Sequence, residues 1–256
     1  MNADSTMKRA DLKNQIVLIL AATSDIGFHI ARGFAERGFN LYLTGRNKQR
    51  LKELEESLKL TGVSIRSYYF DVSDFSSHQS FYDSLPEKPD IVISCAGYYE
   101  DQDDARLDYT ESVITINVNL TGLITILNTI SNDFENRKSG SIVVLGSVAG
   151  ERGRQLNYIY GSAKAGMATY LSGLRNRLHG SGVSVTTIKL GPVYTRMSEG
   201  HNLMPILTLS PGAAAEKIIR AALKKKDVVY IYWPWRYIML LIRMIPEVIF
   251  KRLPPF

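Results

Sequence analysis

Tyr160 and Lys164 stand four apart in Tyr160-Gly161-Ser162-Ala163-Lys164, inside a helical stretch that begins near Asn157. That spacing puts a phenol and an ammonium on one helix face. A phenol with an unperturbed pKa of about 10 is a poor acid/base at neutral pH, and an adjacent cation stabilises its phenolate and lowers that pKa. Such a pair can give a proton to a carbonyl oxygen, or take one from an alcohol, while hydride moves to or from a nicotinamide ring. A Tyr-x-x-x-Lys pair alone is common on surface helices, so its company decides its meaning. Gly146-Ser147 ends the preceding strand, where a hydroxyl can meet the substrate oxygen, and Asn119 lies in an earlier long helix, followed by Leu120-Thr121-Gly122.

A second constellation could hold the hydride carrier. After the first apolar run, Leu20-Ala21-Ala22-Thr23-Ser24-Asp25-Ile26-Gly27 leads into a helix expected from about Ile26 to Arg37. A phosphate-binding turn needs small residues there, because the backbone must approach a pyrophosphate and offer N–H groups at a helix N-terminus. Ala21, Thr23, Ser24, Asp25, Ile26 and Gly27 form the candidate cradle. Only Gly27 remains of the usual three glycines, so the turn alone reads equally well as a helix start capped by Ser24 or Asp25. At the end of the second strand, Thr44-Gly45-Arg46-Asn47 has no carboxylate to take a ribose 2′-hydroxyl. Arg46 can instead meet a 2′-phosphate, which favours NADP(H) over NAD(H); the alternative is a solvated arginine opening a helix.

These residues require a scaffold that brings strand ends together. Strand-length apolar runs occur at Gln15–Leu20, Asn40–Thr44, Val63–Tyr69, Asp90–Cys95, Ser141–Gly146, Val183–Lys189 and Val228–Tyr232. Their interiors, such as Ile142-Val143-Val144-Leu145, are continuously apolar, as expected of parallel strands covered on both faces. Helical stretches fill the gaps, one led by Asn47 with Leu51, Leu54 and Leu58 on a stripe, another opened by Ser210-Pro211. The pattern implies an α/β fold: a doubly wound parallel sheet of about seven strands, the Rossmann fold, with helices on both faces and ligands beyond the carboxyl ends of the strands.

With 256 residues, 45% apolar and 22% charged, the chain suits one domain over 1–256. A formal net charge of +6 is spread over several helices without a basic stripe, which argues against nucleic acid as a partner. Cys95 is the one cysteine, which excludes an intrachain disulfide and suits a reducing compartment. Met1 to Asn14 has no apolar secretory core. A cytoplasmic protein is expected, and no metal-ligand pattern is read.

Taken in order, these motifs resemble the short-chain dehydrogenase/reductase family over about Gln15 to Val229. The resemblance places the adenine-side acid at Asp71-Val72 and the segment closing over adenine at Ser94-Cys95-Ala96-Gly97. It maps the catalytic Asn, Ser, Tyr and Lys onto Asn119, Ser147, Tyr160 and Lys164, with Asn117 a rival for the first. It matches Leu190-Gly191-Pro192-Val193-Tyr194-Thr195 to the segment whose Thr195 touches the nicotinamide carboxamide, with Gly191 and Val193 beside it. By the same resemblance Lys164 holds the ribose hydroxyls and lowers the Tyr160 pKa, while Asn119 anchors a relay water. Two lost glycines, Leu190 for a proline and Ser94-Cys95 for an asparagine pair are departures. The family also implies a homodimer or homotetramer, for which Gly161, Ala163, Ala165, Gly166 and Ala168 offer a close-packing stripe.

In that family a mobile substrate lid follows, here 196–209, whose Met and Leu residues imply an apolar pocket wall; His201 reads as a lid surface residue. The segment 233–256, with Trp233, Trp235, Arg236 and Arg243, is too short and interrupted to span a bilayer. It reads either as two amphipathic helices meeting a membrane surface or as an element packed on core or partner subunit. This tail and the Ala-Thr-Ser-Asp-Ile-Gly turn are similar, more loosely, to reductases acting on a decaprenylphosphoryl keto-pentose. That implies a lipid-linked keto-sugar substrate; a 3-oxoacyl, steroid or other lipophilic ketone, and a non-catalytic NADP(H)-binding scaffold, are the alternatives.

Overall fold

The computed structural model describes residues 14–254, so the polar lead-in, apart from Asn14, lies outside them. Strand β1 (Ile16–Leu20) shows how the core is built. Val17 and Ile19 point into one apolar cluster, while Ile16, Leu18 and Leu20 point into a second on the opposite sheet face. A strand buried on both sides must be apolar at every position, and each such side chain contributes about 1.5–3 kcal/mol of burial.

The chain continues through α1 (Asp25–Glu36), β2 (Asn40–Gly45), α2 (Lys48–Leu58), β3 (Ile65–Tyr69), α3 (His78–Asp83) and β4 (Ile91–Ser94). Next come α4 (Gln102–Leu107), α5 (Tyr109–Ile116), α6 (Gly122–Arg137), β5 (Ser141–Ser147), α7 (Tyr158–Leu178) and β6 (Ser184–Leu190). It closes with α8 (Pro211–Leu223), β7 (Val228–Tyr230), α9 (Pro234–Met244) and the short α10 (Glu247–Phe250). All seven strands pair in parallel in the order β3-β2-β1-β4-β5-β6-β7. The order reverses between β1 and β4, and a crevice opens there beyond the strand ends.

Local chemistry sets the boundaries. Ser24 Oγ accepts from the Gly27 amide at 3.1 Å and Asn47 Oδ1 from the Arg50 amide at 3.0 Å, so both predicted caps form. Helix α1 therefore starts at Asp25 and ends at Glu36, one residue earlier at each end than expected. Strand β3 begins at Ile65 because Gly62 turns the chain in the left-handed region at φ 73, and β7 stops at Tyr230, close to the Trp233-Pro234 start of α9.

Between α5 and α6 the helix widens into a π-turn, Asn117–Thr121. By length and composition Tyr109–Arg137 could cross a membrane; here Leu123, Ile126, Leu127 and Ile130 of α6 are buried against the sheet. On the other face α1 packs on α8, where Gly33 leaves room for Ile219 and Arg37 pairs with Glu216 at 2.8 Å.

Candidate active site

Two close backbone approaches position Ser147, Tyr160 and Lys164. A Cβ on Gly150 would lie 2.6 Å from the Lys164 carbonyl carbon, and one on Gly161 would lie 2.9 Å from the Ala149 carbonyl oxygen. Without side chains there, the turn after β5 rests directly on α7 and holds Ser147 against the Tyr160 and Lys164 turn. The small residues of α7 thus serve packing within the chain at Gly161, and at Gly166, whose Cβ would touch Leu120 at 3.0 Å.

Lys164 is 4% exposed and donates to the Leu145 carbonyl at 3.3 Å, leaving two N–H groups free to hold a ligand. Burial lowers its pKa to about 8. Asn119 is fully buried at the π-turn, with its amide nitrogen donating to Tyr98 O at 2.6 Å and Thr115 O at 2.9 Å. Its Oδ1 and Lys164 Nζ both border the space a Gly97 Cβ would fill, at 3.5 and 3.7 Å. Of the two asparagines considered, Asn119 is the one the wide turn brings to this point. π-Turns often mark such positions, but the sequence carries no period that announces one.

The Tyr160 phenol is half-buried, and burial pushes it up to about 12, with Ser147 acting in the lowering direction. The lowering expected from Lys164 is therefore not the dominant effect. The ammonium lies over the Tyr160 ring, 5.5 Å from its centroid, and is itself desolvated. Tyr99, which sequence reasoning missed, stacks edge-on against Tyr160 at 5.2 Å and against His201 at 5.4 Å. Its position two residues beyond Gly97, just after β4, was the available signal.

Two clefts meet at Met197. One, of about 610 Å³, is lined by Ala21, Thr23, Ser24, Arg46, Asp71, Val72, Cys95, Ala96 and Gly97. Gly27 lies beneath it: a Cβ there would come within 2.7 Å of the Ala21 carbonyl and Ser24 Oγ. Ala21 occupies the left-handed region at φ 59, a conformation a glycine adopts without strain. Asp25, in another lost glycine position, accepts from the Arg196 backbone at 2.7 Å and its Nε at 2.8 Å, tying the turn to the segment after Thr195. Arg46 is exposed, with Asp71 no closer than 3.9 Å.

The second cleft, of about 650 Å³, holds Ser147, Tyr160, Gly191, Val193, Thr195 and Ile26, with Tyr99, Arg154, Leu203 and Trp235 around them. The lid segment is pinned at its base by pairing of Val193 with Leu209. Met197 and Leu203 line the cavity, Met197 still partly open to solvent, whereas Met204 and Ile206 do not line it and are exposed, so only part of the expected apolar wall forms. His201 is exposed at the cavity rim. Trp235, expected at a membrane surface, packs over Gly191 instead and donates its indole N–H to Leu207 O at 3.0 Å.

The tail is strapped to the catalytic loop. Arg152 donates to the carbonyls of Ile242 and Ile245 at 2.6 Å, pairs with Glu247 at 2.9 Å and stacks on Phe250. Its neighbour Glu151 accepts from Tyr230 at 2.5 Å and lies near Lys189 and Arg243. Arg243 stays largely exposed and only reaches Glu151 at 3.7 Å, and Trp233, Tyr237, Leu240, Leu241, Met244, Val248 and Ile249 are exposed as well.

The sequence model of the short chain dehydrogenases matches residues 15–205. The chain belongs to that family. It is 32% identical over 242 residues to an uncharacterized oxidoreductase of Mycobacterium tuberculosis, covering 93% of this chain and 96% of the relative. It is 35% identical over 190 residues to sulfoacetaldehyde reductase 2 of Chromohalobacter salexigens, covering 72% and 75%. A short-chain dehydrogenase from Sphingobium yanoikuyae, solved with NADPH, superposes with TM-score 0.79 at 23% identity over 91% and 97% of the two chains, a likeness of fold. Short-chain dehydrogenases bind a nicotinamide cofactor, and the residues here suit one: Gly27 lets the turn before α1 close tightly at the helix N-terminus, and Gly97 keeps the space above Asn119 and Lys164 open.

Proposed function

We propose that the chain is an NADP(H)-dependent reductase converting a ketone to a secondary alcohol in the cytoplasm. The observation that carries this reading is that Ser147 and Tyr160 line one cleft while the Lys164 ammonium on the same helix as Tyr160 borders Gly97 of the adjoining one, with a phenol held protonated well above neutral pH. Protonated is the state an acid needs to deliver a proton to a ketone oxygen. The bound cofactor supplies the hydride. Ser147 orients the ketone oxygen, Tyr160 gives it the proton, Lys164 uses its free N–H groups on the ribose, and Asn119 holds the turn from which a water can refill the phenol. Ala21, Thr23, Ser24, Asp25, Ile26 and Gly27 would seat the pyrophosphate, Asp71, Val72, Cys95 and Ala96 the adenine, and Gly191, Val193 and Thr195 the nicotinamide side. Arg46, free of a close partner, would grip the 2′-phosphate.

Within this class the proposed substrate is a polyprenyl-phosphate keto-sugar. The cavity runs beside Trp235 at the start of α9, and the same helix exposes an apolar row flanked by Arg236, Lys251 and Arg252, suited to an anionic membrane surface. A homodimer or homotetramer through α6 and α7 is the proposed assembly. The test is NADPH oxidation with a panel of lipophilic and sugar ketones, alongside Tyr160→Phe. Turnover should fall by about two to four orders of magnitude in the variant while NADPH still binds. Cofactor binding without turnover on any ketone would make the chain a scaffold, and near-normal activity of Tyr160→Phe would remove the phenol from the mechanism.

A further inference from the structure

Arg154 lines the substrate cavity together with Ser147 and Tyr160, yet it makes no ion pair and no side-chain hydrogen bond among the described residues. Its Nε is shielded from water without a partner. Nearby charges do not answer it. Asp101 accepts from the Asp103 amide at 2.9 Å as a helix cap, and Asp103 pairs with Arg106 at 2.8 Å, although both aspartates border the same cavity. His201 lies across the cavity against Tyr99 and offers no negative charge. Arg152, two residues earlier, is fully engaged with the tail, so the loop builds one structural arginine and leaves one unpaired.

A half-buried guanidinium without a counter-charge is unfavourable, and burial shows in its lowered pKa. Its planar fork matches the paired oxygens of an oxyacid. Two more buried polar atoms on the same wall, Gln102 Nε2 and Asn157 Oδ1, lack partners. One of these is a further donor and the other an acceptor, the complement of an oxyanion carrying a neighbouring hydroxyl.

We propose that Arg154 recognises an oxyanion on the carbonyl substrate, so that the preferred ketones carry a phosphate, sulfonate or carboxylate within reach of the reacting carbon. This rests on the reductase reading above and specifies the chemistry of its substrate.

The experiment compares kcat/KM at saturating NADPH for dihydroxyacetone phosphate and dihydroxyacetone, and for sulfoacetaldehyde and acetaldehyde. It uses wild-type protein, Arg154→Gln and Arg154→Lys. The wild type should prefer the anionic member of each pair at least tenfold. Arg154→Gln should collapse that ratio toward one through KM, and Arg154→Lys should recover part of it. The phosphate and sulfonate arms tell which oxyacid fits. A ratio near one in the wild type, or a ratio unchanged by Arg154→Gln, overturns the proposal. If no carbonyl turns over, the reductase reading fails separately, and a titration with phenyl phosphate followed by the fluorescence of Trp235 in the same cavity decides the arginine. Saturable quenching that weakens at least tenfold in Arg154→Gln supports it, and no quenching or equal quenching overturns it.

Discussion

At Arg46 the proposed preference for NADP(H) rests on a single side chain. It stands at the end of β2 with its guanidinium two-thirds exposed and 3.9 Å from Asp71, a separation too long for a strong pair in water. Arg46→Ala should therefore weaken NADPH by about 1.5–3 kcal/mol, roughly ten- to a hundredfold, and NADH far less, as read from dissociation constants. Equal losses for both would show that the residue reads no 2′-phosphate. Arg46 was visible in the sequence because it follows a strand and a glycine at a position with a known chemical task. Tyr160 and Lys164 were visible because helical spacing is local. Arg154, Glu151 and Arg152 were not, because nothing in Gly150-Glu151-Arg152-Gly153-Arg154 repeats or alternates. What separates the strap from the unpaired cation is which distant carbonyls and carboxylates the fold brings near.

Among the elements, the turn before α1 and the segment after Thr195 are joined through Asp25 and Arg196. Asp25 places a carboxylate at the start of α1, where a pyrophosphate would also bind, and Arg196 draws its charge aside with two hydrogen bonds while donating to the Thr23 carbonyl. Removing the guanidinium would leave that carboxylate facing an anionic ligand. Arg196→Ala should weaken both NADPH and NADH by about fivefold, on the order of 1 kcal/mol given the partial exposure of the pair. In an Asp25→Asn background the same change should cost clearly less. Equal costs in the two backgrounds would show that the residues are uncoupled. The strands behind this latch could be read from their unbroken apolar runs, since burial on both faces leaves that imprint. The latch could not: the sequence showed a glycine replaced by an acid, and only the return of the chain after β6 supplies the cation that accommodates it.

For the whole molecule, the inner face of the tail fits the packing reading, and its exposed apolar outer face is where the proposed membrane contact would lie. Arg152 and Gly191 take the inner face, including Trp235, while Leu241 and Met244 are 66% and 70% exposed on the outer one. Hydrophobic periodicity announced two amphipathic helices but not which stripe would find a partner within the chain. Cutting the tail away would strip Arg152 of its partners, so the outer face is better tested by substitution. The protein should float with anionic vesicles, less so as salt rises, and Leu241→Gln with Met244→Gln should abolish flotation while NADPH still binds. Failure of the unaltered protein to float would turn this face toward a protein partner. The packing of α1 has a consequence for biosynthesis. Its apolar side is covered by α8, and Arg37 meets Glu216 across 179 positions of sequence. At about 5–20 residues per second the ribosome needs roughly 10–35 s to deliver that partner. Throughout that interval the nascent chain carries a complete phosphate turn on a helix whose buried face is still wet, a natural target for a chaperone that grips apolar helices.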